Sequence, residues 1–337
     1  MREDAGEGSS VRGAGQLARL AVIVLLWLLV AGYLLPVAAR FAPRSLQKAI
    51  SFQTFRAGAQ ILTLALGLLA CFAALRAPRD ALALRAPSRL ALASTALLAP
   101  AVTVVSTLIA IRVALPKLMQ ELAERGAGAS RKDAGAFGRE LTEAPLLLTL
   151  ISGALLAAVS EETLFRGALW SLMDGLLGPL SPGPAAEGEP PWETLPARLL
   201  RKARRGAATL LFGGGGATLV AAAIFGFMHR DLPGAVGIVR IVSTTCLGLA
   251  SGVVRWRTRS ILACVALHAA HNVLSLGNGR GWFRGALGSV EGVPVALLLL
   301  AAAGAALLLA LRTLGWLGPR ACSLRSPQAK GPAAGTD

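Results

Sequence analysis

Charge is scarce in this chain: only 15% of its 337 residues are Asp, Glu, Lys or Arg, against 54% that are hydrophobic. A soluble domain carries about 25% charged and about 45–50% apolar residues, so the composition leans towards lipid. Cysteine is sparse too. The four present (Cys71, Cys246, Cys264 and Cys322) show no metal-ligand spacing, and three of them sit in apolar runs, as small buried side chains do. That excludes a disulfide framework. Histidine occurs three times, no H-E-x-x-H is present, and no segment repeats with a solenoid-like period.

What the chain has in quantity is apolar runs of about 18–25 residues, each long enough to cross a hydrocarbon core of about 30 Å. They fall at about 17–36, 58–75, 90–114, 145–172, 208–228, 235–254, 259–277 and 292–314. The expected fold is therefore all-α, a polytopic transmembrane helical bundle of about eight spans. The first run is expected to stay as a helix and not to be cleaved as a signal peptide, because it is too long and follows an acidic lead at Glu3, Asp4 and Glu7. The net charge of +16 does not point to nucleic acid, since the basic residues lie between the spans. There they meet headgroups and set topology, and their distribution favours cytoplasmic termini. The wealth of Ala, Arg and Gly suggests a GC-rich bacterial genome, hence the inner membrane.

The expected organisation runs in five parts. Residues 1–16 and 319–337 read as disordered tails, 17–144 as N-terminal spans with a surface linker, 145–277 as a central core, and 278–318 as a last span. Within the linker, 115–142 reads as a short amphipathic helix followed by a Gly/Ala stretch. The longest connection, 174–206, is Pro-rich and ends in the basic run "RLLRKARR". "FGGGGATL" in the fifth span permits either close helix approach or backbone facing a cavity.

Against this background the polar residues of the core stand out. "LLAAVSEETLFRGALWSLM" places Glu161, Glu162 and Arg166 in mid-span, where each unpaired charge costs roughly 2.5–3.5 kcal/mol. Glu162 and Arg166 are four apart, as are Phe225 and His229, and His268 and Asn272, so each pair shares a helix face. Glu162 and Arg166 can neutralise one another. Glu161 is rotated by about 100° and has no partner on its own helix, which suits a general base. His229 can hold or activate water, and His268 with Asn272 can polarise a carbonyl. Each also has a plainer reading: a structural ion pair, an interfacial histidine ending a helix, an interhelical hydrogen bond. His271 reads as structural, and Arg240 either snorkels or lines a cavity.

In order, "EETLFR" (161–166), "FGFMH" (225–229) and "HAAHN" (268–272) give E-E-x-x-x-R, F-x-x-x-H and H-x-x-x-N on successive apolar helices. This succession resembles the CPBP family of intramembrane proteases, which includes the type II CAAX prenyl endopeptidases and bacteriocin-processing and immunity proteins. The resemblance covers about 145–277 and implies that Glu161 activates water, with Glu162, Arg166 and Phe225 in support. It further implies that His229 and His268 complete the site and that Asn272 stabilises an oxyanion. A zinc cofactor stays open: Glu161, His229 and His268 would be its ligands, and Glu162 would then have to act as base. The implied partners are the lipid bilayer and a membrane protein or peptide substrate such as a leader peptide or a C-terminal sorting tail. The rival readings are a proton-coupled transporter, for which the chain lacks a second copy of the motif set, and a non-proteolytic immunity or scaffold protein of the same fold.

Overall fold

In a hydrocarbon layer every backbone N–H and C=O needs a partner inside the chain, and for a single segment only a helix provides that. The computed structural model describes residues 14–31, 52–75, 78–125, 145–177, 213–230, 232–280 and 293–313, with Ala208 and Leu211. Among these residues all regular structure is helical and there is no strand. Of the expected tails, residues 1–13 and 319–337 lie outside the described residues, as do 126–142 of the linker and 178–206 of the Pro-rich connection, while 14–16 and 174–177 are helical.

The helices are α1 (Ala14–Leu29), α2 (Phe52–Ala74), α3 (Arg89–Leu97) and α4 (Ala99–Arg125). They are followed by α5 (Leu146–Leu177), α6 (Gly213–Phe227), α7 (Gly234–Thr258), α8 (Ile261–Gly279) and α9 (Val293–Thr313). Four stretches are long and apolar enough to cross a bilayer: Ala57–Ala74 of α2, Arg89–Glu124 through α3 and α4, α5, and α7. Shorter apolar helices, α1, α6, α8 and α9, stand where the other expected spans fall. Leu25, Leu69, Leu108, Leu147 and Leu308 are all exposed on the outside, as lipid-facing side chains are. The protein is a helical membrane bundle.

Local chemistry explains the joints. Ser88 caps α3 by accepting from the Ala91 N–H at 3.1 Å. α4 opens on Ala99–Pro100, where a missing N–H costs nothing, and runs on through Pro116 to Arg125. The separate amphipathic helix expected from 115 is thus the last part of α4. It continues because α7 packs along it, and the Glu121 carboxylate accepts from the Ala235 N–H at 3.0 Å, capping the start of α7. α7 ends on Arg259 in the left-handed region, with Arg255 and Arg257 in its last turn facing the carbonyl end of the helix dipole. Arg259 and Ser260 separate it from α8, and Ser260 accepts from the Leu262 N–H at 3.2 Å.

α6 and α7 lie backbone to backbone. A Cβ on Gly226 would strike the Thr245 hydroxyl and come within 2.9 Å of the Ile241 carbonyl. One turn along, Gly248 meets Ala222, and beyond it Gly252 meets Thr218. This is a seam of small residues at a spacing of one helical turn, the usual way for helices to approach closely in lipid. Farther back, Gly214 packs on the Trp256 ring, so the Gly-rich stretch serves as a packing face.

Candidate active site

α5 is not a plain α-helix. Two π-helical segments, Leu150–Leu156 and Thr163–Leu169, flank the α-helical turn Ala157–Glu162 that carries the two glutamates. Hydroxyls at both segments bond back to carbonyls one turn earlier: Thr149 to Pro145, Ser152 to Leu148 and Thr163 to Val159. Each π-turn leaves one carbonyl without its α-helical donor. Ala157 N–H reaches back to Ser152 and Ala154, passing over Gly153, and Trp170 N–H reaches Phe165, passing over Arg166. Side chains from other helices take the places: Asn272 of α8 donates to the Gly153 carbonyl at 3.2 Å, and Arg255 of α7 donates to the Arg166 carbonyl at 3.0 Å.

Glu162 and Arg166 point into the bundle, both with 0% side-chain exposure, and form an ion pair of 3.2 Å. The contact lacks hydrogen-bond alignment, and the two Nη atoms find no hydrogen-bond acceptor among the described residues. The guanidinium instead lies over the Phe225 ring, 4.5 Å from its centroid. Phe225 is fully buried and meets Phe165, His229 and His268 edge-on at 4.9, 4.7 and 5.8 Å.

The other oxygen of Glu162 holds His268 Nδ1 at 2.7 Å. A carboxylate paired with an arginine only accepts, so Nδ1 carries the proton and Nε2 is turned towards Glu161. His229 is set in the same way: its Nδ1 donates to the Phe225 carbonyl at 2.8 Å, leaving Nε2 open. Both Nε2 atoms lie 3.8 Å from the same oxygen, Glu161 Oε2. Glu161 is 24% exposed and His229 18%, so this corner is open where the Glu162–Arg166 side is sealed. A separation of 3.8 Å is too long for a direct hydrogen bond and leaves each Nε2 and Glu161 Oε2 open to a water.

The geometry thus brings Glu161, Glu162, Arg166, Phe225, His229 and His268 into one cluster. Asn272 stands a turn beyond His268 with one amide hydrogen committed to Gly153. His271 faces away: its Nδ1 donates to the Thr103 hydroxyl at 2.8 Å, which in turn donates to Ala99, joining α8 to α4. Arg240 lies near enough to act electrostatically on His229. Cys71, Cys246 and Cys264 are free thiols.

For zinc, the tautomers suit ligation, since each imidazole has its Nδ1–H tied to an acceptor. The spacing does not. Tetrahedral zinc with bonds of about 2.0–2.1 Å sets its ligand atoms about 3.3–3.4 Å apart, whereas both His–Glu161 distances here are 3.8 Å. Among the described residues no cluster of three or more His, Cys, Asp or Glu meets the requirements of a metal site.

Residues 143–274 match the family model of Rce1-like type II CAAX prenyl endopeptidases. This segment is similar to the CAAX-protease domain. It begins just ahead of α5 and ends within α8, two residues after Asn272, so it takes in every member of the cluster. The family is one of membrane proteases, and peptide hydrolysis is the class of activity it supports. No curated protein and no solved structure gives a match.

Two side chains bound to this segment's π-turns and helix contacts escape sequence reasoning. Arg255, in "GVVRWRTRS", reads as one more basic residue at a span end. Thr103 lies on a span outside the three motifs. No local pattern marks either, because their partners lie 89 and 168 residues away.

Proposed function

We propose that this protein hydrolyses a peptide bond of a membrane-associated or lipid-anchored protein or peptide, using a water held between Glu161, His229 and His268. The observation that carries the reading is the convergence of two imidazole Nε2 atoms on one partly exposed carboxylate oxygen, each at 3.8 Å. Glu161 removes a proton from the water, and His229 accepts the second water hydrogen and fixes its direction. The resulting hydroxide attacks the carbonyl carbon, and the proton on Glu161 passes to the nitrogen of the departing amine.

With a proton on Nε2 and Glu162 opposite Nδ1, His268 meets the oxyanion together with the Asn272 amide hydrogen not engaged with Gly153. Glu162, Arg166 and Phe225 hold this arrangement from beneath.

The proposed setting is the inner membrane, with the termini in the cytoplasm, and the proposed substrates are leader peptides or C-terminal sorting tails. The test compares protein termini in membranes from cells making wild type or Glu161→Gln at matched levels. Termini that appear only with wild type support hydrolysis and name the substrate. Identical termini, with the variant folded and inserted, refute it.

A further inference from the structure

The second π-turn of α5 sets where Glu162 and Arg166 point, and its one skipped carbonyl is that of Arg166. In lipid a skipped carbonyl needs a donor, and a helix can hold a π-turn only where one is supplied. Arg255 supplies it. Its Nε donates to Arg166 O at 3.0 Å, its Nη2 reaches the Ser171 hydroxyl at 3.4 Å, and its guanidinium stacks 4.5 Å from the Trp170 centroid. Ser171 donates onward to the Ala81 carbonyl at 2.5 Å. The side chain is 5% exposed and belongs to none of the three motifs. The first π-turn is served the same way by Asn272, so the turn bearing both glutamates is held at each end by a side chain from another helix.

We infer that Arg255 is a positioning residue for the proposed hydrolysis: by capturing the Arg166 carbonyl it fixes the π-turn, and with it the Glu162–His268 hydrogen bond that orients Nε2 towards Glu161. The inference rests on the hydrolase reading for its catalytic meaning, but its structural part is measurable without turnover.

Three histidines make ¹⁵N-histidine spectra of the detergent-solubilised full chain simple, and each Nδ1–H has a different partner: Phe225 O for His229, Glu162 for His268, Thr103 for His271. In Arg255→Met the His268 Nδ1–H is expected to exchange with solvent about tenfold faster or more, on the scale of one lost hydrogen bond. His271, on the far side of α8, is expected to keep its wild-type signal and so reports that the bundle is intact. Arg255→Lys, which keeps one donor, is expected to fall between. Wild-type termini are expected to accumulate correspondingly more slowly with Arg255→Met.

An unchanged His268 signal in Arg255→Met overturns the inference. So does the loss of all three signals in both variants, which makes Arg255 a general stabiliser. Wild-type rates of cleavage by Arg255→Met, with Glu161→Gln inactive, refute the inference alone. Identical termini from wild type and Glu161→Gln refute the hydrolase reading instead.

Discussion

The Arg166 guanidinium rests 4.5 Å from the centroid of the Phe225 ring, with neither side chain exposed. The ring face thus answers a buried cation whose Nη atoms have no acceptor among the described residues. A desolvated pair of this kind contributes about 2 kcal/mol. Phe225→Leu, which keeps the site apolar but removes the π face, is expected to lower the thermal unfolding temperature in detergent and to slow cleavage. A variant with wild-type stability would show that Glu162 alone sustains Arg166.

Glu162 and Arg166 make a sharper test together than apart. Glu162→Gln leaves the buried arginine uncompensated and is expected to cost about 3–5 kcal/mol. Adding Arg166→Met removes the stranded charge, so the double variant should recover much of the loss in a thermal or denaturant titration. Cleavage should stay absent in both, because His268 has lost its carboxylate. Strict additivity of the two changes would mean that the ion pair does not couple them.

Gly226 tests the seam. Gly226→Ala drives a methyl group into the Thr245 hydroxyl and is expected to cost about 1–3 kcal/mol, as overpacking does. Because Phe225 and His229 flank this position, cleavage should fall as well. Thr245→Ala in the same chain should restore part of the stability, with Ile241 O at 2.9 Å limiting the recovery. Unfolding curves for the two single variants and the double variant decide it.

Metal dependence follows from spacing. With both imidazole nitrogens 3.8 Å from Glu161 Oε2, extensive dialysis against a chelator is expected to leave cleavage unchanged. Loss of activity restored by one equivalent of zinc would show instead that the three groups draw together by about half an ångström to reach ligand geometry.

Much of this site is legible in the sequence because the spacing of four within a helix is local information. Glu162 with Arg166, and Phe225 with His229, sit as that spacing implies, and Glu161 leaves its neighbour to face the histidines of other helices. Hydropathy likewise places a helix at each expected run, four of them long and apolar enough to cross a bilayer. What escapes is what depends on partners far along the chain. The π-turns need donors from Asn272 and Arg255, which no stretch of α5 reveals. Pro116 reads as a boundary, yet α4 passes through it because α7 and the Glu121–Ala235 contact hold the far side in place. His271 is structural, as its sequence reading has it, but the partner that makes it so, Thr103 on α4, lies 168 residues away.

Glu162, Arg166 and Phe225 are sealed beneath a partly open Glu161 and His229. Under the proposed hydrolysis, water and peptide would both come to Glu161 from this exposed side. A peptide docked there would cover its own nucleophile, so the water would have to be seated first and the next one would wait for a fragment to leave.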